Sequence, residues 1–189
     1  MTDATSVLVV EDDAELAGLY ASWTPPEWCV ETVPTGEDAV PAVDDATDVV
    51  VLDRRLPGRS GDEVLTRLRD AGYDCQVVIV TAVDPDFDVV EMRFDDYLVK
   101  PVDRDDVRDT VSDLLSIATY ADDVQEYFAL AKKRATVEGS TPTRDLAADD
   151  RYQDLVERTE ALKARVDETF EALDDEAQTG AFNQFPDGD

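Results

Sequence analysis

Histidine is absent from the 189 residues of the chain, and that absence closes off several kinds of chemistry. Without an imidazole there is no Ser-His-Asp or Cys-His catalysis and no His-ligated zinc. The chain cannot itself carry a phosphohistidine. Cysteine is nearly absent as well: Cys29 and Cys75 are the only two thiols, too few for a disulfide framework and without a CxxC spacing. Both adjoin strand-like runs and are expected to be buried thiols. No apolar stretch approaches the length needed to cross a bilayer. Met1-Thr2-Asp3-Ala4-Thr5-Ser6 puts no basic segment ahead of the first apolar run, so no signal peptide is expected. The expectation is a soluble, cytoplasmic protein without membrane insertion. Its chemistry must run on carboxylates, hydroxyls, amines and hard cations held by oxygen.

Lysine is scarce too. Four lysines and 13 arginines face 32 aspartates and 14 glutamates, giving a formal charge of −29. The surplus is spread evenly, with a net −19 over residues 1–119 and −10 over residues 120–189. An acidic tail would be local, whereas an even surplus is an adaptation of the whole surface to high ionic strength, where screening removes self-repulsion. The cytosol of a halophile is the expected setting. With 43% hydrophobic residues the chain can still bury a real core, which argues against wholesale disorder.

Four short apolar runs punctuate the first hundred residues: Val7-Leu8-Val9-Val10, Val49-Val50-Val51-Leu52, Val77-Val78-Ile79-Val80 and Tyr97-Leu98-Val99, with a weaker one at Cys29–Val33. Continuous rather than alternating runs fit strands covered on both faces of a parallel sheet. Helical patterns lie between them, at Glu15–Trp23, Gly36–Val43 and Gly61–Leu68. Strands alternating with helices imply βαβ units and an open five-stranded α/β sheet. Asp103 is placed to cap a last helix of this domain, with Val107, Val111, Leu114 and Leu115 inward. Beyond about Ser116 the strand signal stops. Val124, Phe128 and Ala131 form a helical stripe, and Phe128 is expected in the core with Phe170. A polar break at Glu138–Thr143 follows. Tyr152, Leu155, Thr159, Leu162, Val166, Thr169 and Leu173 then alternate by three and four, a heptad seam. The expected division is residues 1–118, a helical hairpin over 119–176 and a frayed tail over 177–189, where Phe182 and Phe185 could dock.

In open α/β sheets functional side chains gather at the carboxyl ends of strands. Those ends carry Glu11, Asp12 and Asp13, then Asp53, Thr81 and Lys100. Three converging acids repel unless a divalent hard cation sits among them. One carboxylate can then attack phosphorus, while a lysine and a hydroxyl bind the remaining oxygens. Lys100 is the only lysine among the first 131 residues, so a point charge on a flexible stem looks required at that strand end.

The segments Val9-Val10-Glu11-Asp12-Asp13, Val51-Leu52-Asp53-Arg54-Arg55-Leu56-Pro57-Gly58-Arg59-Ser60-Gly61, Val80-Thr81-Ala82 and Asp96-Tyr97-Leu98-Val99-Lys100-Pro101 resemble the receiver domain of two-component response regulators over roughly residues 6–118. The resemblance implies a flavodoxin-like parallel sheet of strand order 2-1-3-4-5 and a phosphoprotein of a phosphorelay, taking its phosphoryl group from a sensor histidine kinase. Asp53 would be the phosphoacceptor, and Mg²⁺ would be held by Glu11, Asp12, Asp53 and the backbone carbonyl of Arg55. Thr81 and Tyr97 would be the switch pair, with Lys100 the cation that pairs with the aspartyl phosphate. Such a protein is no enzyme in the ordinary sense, since it catalyses only its own phosphorylation and dephosphorylation. Asp13 is assigned to a helix N-terminus, where an acid is favoured in any case.

Two departures stand out. The stretch from Thr81 to Lys100 is shorter than in most receivers by roughly one helical turn, so a fourth helix near Asp86–Met92 must be stubby or irregular. Arg55 is also a bulky cation two residues after the acceptor. That same residue argues against a haloacid-dehalogenase-type phosphatase, which needs a second acid there. The helical tail, through Tyr127-Phe128-Ala129-Leu130-Ala131-Lys132-Lys133-Arg134-Ala135, resembles the HalX domain of halophilic archaea over roughly residues 119–185. The expected output is a helical protein-interaction or dimerisation element with an unidentified downstream partner, a homodimer through the seam being one form. The alternative is a DNA-binding transcriptional regulator using the tail, against which its net negative charge speaks.

Overall fold

A computed structural model describes residues 4–85, 87–140, 142, 146 and 148–173. The chain forms two compact units, Met1–Leu115 and Ser116–Asp189, each described here by itself. In the first, strands β1 (Ser6–Val10), β2 (Cys29–Val33), β3 (Val49–Leu52), β4 (Gln76–Thr81) and β5 (Asp96–Val99) form one parallel sheet ordered β2-β1-β3-β4-β5. Helices α1 (Ala14–Trp23), α2 (Gly36–Ala42) and α3 (Gly61–Ala71) connect the strands, and α4 (Arg104–Ser140) follows β5. This is the flavodoxin-like receiver order.

The valine runs are explained by the two faces they feed. Leu8, Val10, Val50, Leu52, Val77 and Ile79 pack with Ala39, Val43, Val64, Leu65 and Leu68. Their sequence neighbours Val7, Val9, Val49, Val51, Val78 and Val80 pack on the opposite side with Ala17, Tyr20, Val107, Val111 and Leu114. A central strand with both faces covered favours apolar residues along its middle. Each such side chain, once fully buried, contributes about 1.5–3 kcal/mol. The weaker run, β2, is weak because it is the sheet edge, and its burial falls off accordingly. Cys29 pairs there with Ser6 and is exposed, contrary to the expected burial. Cys75, ahead of the inner strand β4, is buried, and burial pushes its thiol pKa up.

Local signals set the helix starts. Ser60 and Glu63 form a capping box on α3, and Gly72 closes it in the left-handed region. Asp103 accepts from the amides of Asp105 and Asp106 at 2.9 and 3.0 Å, while Asp106 accepts from the Asp103 amide at 2.8 Å. The shortened β4–β5 connection holds one turn of 3-10 helix, Phe87–Glu91. Arg69 anchors its far end. The guanidinium donates to the carbonyls of Tyr73, Cys75 and Arg93 and pairs with Asp95 at 2.7 Å. Asp95 also accepts the Val77 amide at 2.6 Å, so this loop is tied to α3 and β4 at once. Burial raises the Asp95 pKa despite those bonds.

In the second unit the latter part of α4 meets α5 (Asp150–Ala172). Helix α4 runs on past Ser116, and no proline or glycine interrupts the chain between Arg104 and Val137. Asp123, 6% exposed, forms a bidentate pair with Arg165, Tyr120 stacks near Phe170 at 5.7 Å, and Tyr152 donates to Glu138 at 2.6 Å. The helices therefore run antiparallel. Thr159 and Leu162 of the seam are buried and its other members are at least partly so. Thr159 satisfies its hydroxyl on the Leu155 carbonyl at 2.7 Å, which is how a polar residue is tolerated there. Phe128 departs from expectation at 63% exposed. Ile117, Ala121 and Val124 are buried on the face that Phe128 would continue, but beyond Val124 burial passes to Tyr127, partly buried, and Leu130. The expected frayed tail, with Phe182 and Phe185, lies outside the described residues, as does Asp86 at the start of the expected fourth helix.

Candidate functional site

Each candidate residue sits where a parallel strand stops. Glu11 and Asp12 follow β1, Asp53 follows β3, Thr81 ends β4 and Lys100 follows β5. Because β1, β3, β4 and β5 are successive neighbours, these residues collect along one edge. Carboxylate oxygens of Glu11, Asp12 and Asp53 lie within 4.8 Å of one another. Asp12 is exposed while Glu11 and Asp53 are 4% and 8% exposed. Lys100 Nζ bridges the two buried acids, 2.7 Å from Glu11 Oε2 and 2.6 Å from Asp53 Oδ2. The other Asp53 oxygen accepts the Arg55 amide at 2.9 Å. Asp13 stands apart from the cluster as the N-cap of α1.

The electrostatics follow from crowding. Burial raises the Glu11 pKa, with the Lys100 ammonium opposing it. Burial would lower the Lys100 pKa, but hydrogen bonds to Asp53 and Glu11 outweigh it and hold the amine firmly protonated. Fully ionised, three carboxylates and one ammonium leave two negative charges, which one divalent cation would cancel. The donor set is all oxygen, as Mg²⁺ requires. Thr81 Oγ1 is buried at the strand end with no hydrogen-bond partner among the described residues. Such a hydroxyl costs about 1–3 kcal/mol until an acceptor arrives.

Tyr97 is partly buried, and its hydroxyl donates to the Val83 carbonyl at 2.7 Å. The side chain of Arg55 is exposed. Two residues without a sequence signal join this region. Arg54 is buried and pairs bidentately with Asp62, both N–O distances being 2.9 Å. Its other amine nitrogen lies 3.4 Å from the Tyr97 hydroxyl. An arginine between an acid and another arginine reads as surface, and Tyr97 lies 43 residues away from it in the chain.

Comparison with known proteins places this geometry. The model of the response regulator receiver domain matches residues 7–112, and that of the HalX domain matches residues 116–182. A Haloferax volcanii protein named as a candidate transcriptional regulator is 45% identical over 159 residues, covering 84% of this chain and 27% of its own length. The chain thus spans about a quarter of the length of the first curated relatives it matches. The receiver domain of a LuxO-type protein from Vibrio parahaemolyticus superposes with a TM-score of 0.57 at 28% identity, over 63% of this chain and 95% of that one. The Thermotoga maritima response regulator TrrA, solved with Mg²⁺ and BeF, gives 0.50 at 26% identity, over 58% and 98%. Among the described residues no helix is long and apolar enough to cross a membrane. The strand order, the acid cluster and the family matches lead to one conclusion: the chain belongs to the two-component response regulators, a receiver domain followed by a HalX domain.

Proposed function

We propose that the chain accepts a phosphoryl group on Asp53 from a sensor histidine kinase and signals through its helical hairpin. The observation that carries this is the set of three acids with Lys100 between two of them, beside a buried hydroxyl with no partner among the described residues. A carboxylate oxygen of Asp53 attacks phosphorus, the P–N bond to the donor imidazole breaks, and an acyl phosphate forms. Lys100 follows the charge from the carboxylate to a phosphoryl oxygen, and Thr81 supplies a hydrogen bond to another. Glu11, Asp12, Asp53 and the Arg55 carbonyl would hold Mg²⁺, which when bound neutralises charge on the transferred group. The site's likeness to TrrA, solved with Mg²⁺ and BeF, supports that choice. Phosphorylation and its reversal on Asp53 are the only chemistry proposed, in the cytoplasm.

A direct test reads Mg²⁺ binding through stability. At a hundredfold excess over Kd, Mg²⁺ should add about 2.7 kcal/mol to the wild type, a rise in Tm of roughly 5–10 °C at constant ionic strength. Asp12→Ala should abolish the rise. A rise that survives would move the metal elsewhere.

For the hairpin, a role in protein interaction is the better supported reading. Five of its seven described basic side chains are engaged with acids of the same chain: Arg134, Arg151, Arg158, Lys163 and Arg165. Cations already paired have little to offer phosphates. The name of the Haloferax relative favours the DNA-binding alternative, and a salt-resistant complex of the full chain with a specific DNA would establish it. The seam is the natural place to test self-association. Leu162 is 5% exposed within one chain, so Leu162→Asp should lower Tm, at a cost of about 3 kcal/mol or more for the buried unpaired charge, without changing the sedimentation coefficient. Conversion of a dimer to monomers would instead assign the seam to pairing between subunits.

A further inference from the structure

The receiver reading leaves Arg54 unused, and Arg54 is unusual. It directly follows the proposed phosphoacceptor, yet its side chain is only 8% exposed. A guanidinium is removed from water only where its donors are satisfied. Here both arms of a fork meet Asp62, Nε to Oδ1 and Nη2 to Oδ2, each at 2.9 Å. Asp62 stands in the first turn of α3, where the helix dipole favours an acid. A bidentate pair fixes the guanidinium plane as well as its position. The remaining Nη1 then faces the Tyr97 hydroxyl at 3.4 Å.

The phenol can serve both neighbours at once. Its proton goes to the Val83 carbonyl at 2.7 Å, leaving its oxygen lone pairs for Arg54. At 3.4 Å the contact is long for a hydrogen bond and individually modest. Its effect is steric and electrostatic together, because the donating hydroxyl faces a buried cation whose plane the fork fixes. Phe94 covers the ring from one side at 5.5 Å. The result is a row, Asp62–Arg54–Tyr97–Val83, that joins α3, the residue after the acceptor, β5 and the loop after β4.

We propose that Arg54, clamped by Asp62, is a positioning residue that holds the Tyr97 side chain inward on the Val83 carbonyl before Asp53 carries any phosphate. The inference rests on the receiver reading only in taking Tyr97 as the switch aromatic. The latch would lower the cost of the inward state, so that phosphorylation has less of the rearrangement left to drive.

The test uses the full chain labelled with 3-fluorotyrosine. Of six tyrosine resonances, that of Tyr97 is assigned as the one missing from Tyr97→Phe. Without any phosphoryl mimic, Arg54→Met should shift the Tyr97 line toward its position in the unfolded chain and broaden it. Asp62→Asn, which removes the fork that sets the guanidinium plane, should shift the line in the same direction, and the double variant should move it no further than Arg54→Met alone. Arg54→Lys, which cannot make the fork, should not restore it. A Tyr97 line unchanged in both single variants, with the other five lines in place, would overturn the latch. If Arg54→Met fails to fold, Arg54→Lys, which keeps the charge but cannot make the fork, replaces it: an unchanged Tyr97 line in that variant overturns the latch. Addition of Mg²⁺ and beryllofluoride to the wild type reads the receiver chemistry separately. No response there would remove the functional reading while leaving the result on the unliganded chain intact.

Discussion

Asp53→Asn is expected to take up no phosphate from acetyl phosphate and Mg²⁺, under conditions in which the wild type gains one group per chain. The amide is a poor nucleophile, and the loss of rate should be roughly 10³-fold or more. Neighbouring acids are not equivalent replacements. Glu11 is engaged by Lys100 and by the Asp13 amide, and Asp12 is exposed without the ammonium that Asp53 has at 2.6 Å. Mass spectrometry of the intact protein measures the uptake, and peptide mapping after borohydride reduction of the acyl phosphate locates it. Equal labelling of the two proteins would displace Asp53 from its role.

Gly61→Ala should strongly destabilise the receiver fold through a single methyl. A Cβ at position 61 would stand 2.2 Å from the Asp53 carbonyl oxygen and 2.7 Å from Arg54 Cα. Both obstacles are backbone, and the Gly61 amide is also bonded to the Arg54 carbonyl at 2.9 Å. Neither side can give way without moving the strand end that carries Asp53. A loss of about 3 kcal/mol or more is expected, accompanied by slower phosphate uptake in whatever fraction remains folded. Gly18→Ala provides the opposite case. It lies exposed in α1 with nothing within 4 Å of the added carbon, so the substitution should stabilise by about 0.5–1 kcal/mol. Chemical unfolding followed by circular dichroism separates the two. A Gly61→Ala protein as stable as the wild type would mean that the crowding at this turn is relieved at no cost.

Much of the receiver could be read in advance because its signals are local. Val49–Leu52 had to be a covered strand, and Asp53, the residue after it, had to emerge at the sheet edge. The same logic placed Glu11, Thr81 and Lys100 before any contact was known. What escaped depends on contacts far apart in the chain or on phase. Arg54 and Tyr97 are 43 residues apart, and no pattern near either one announces the other. The outward Phe128 was a question of helix phase, since Val124 can be continued by Tyr127 or by Phe128 and only packing chooses.

The bridge between Glu11, Lys100 and Asp53 also governs how the receiver meets amine-directed chemistry. Acylating and cross-linking reagents, and enzymes that modify lysine, need a side-chain amine that is accessible and at times unprotonated. Over residues 1–131 the sequence supplies a single lysine, and the fold holds it 16% exposed between two carboxylates with its pKa raised. To such reagents the side chains of this domain are nearly inert. Any lysine-directed label that enters them reports an opened Glu11–Lys100–Asp53 bridge.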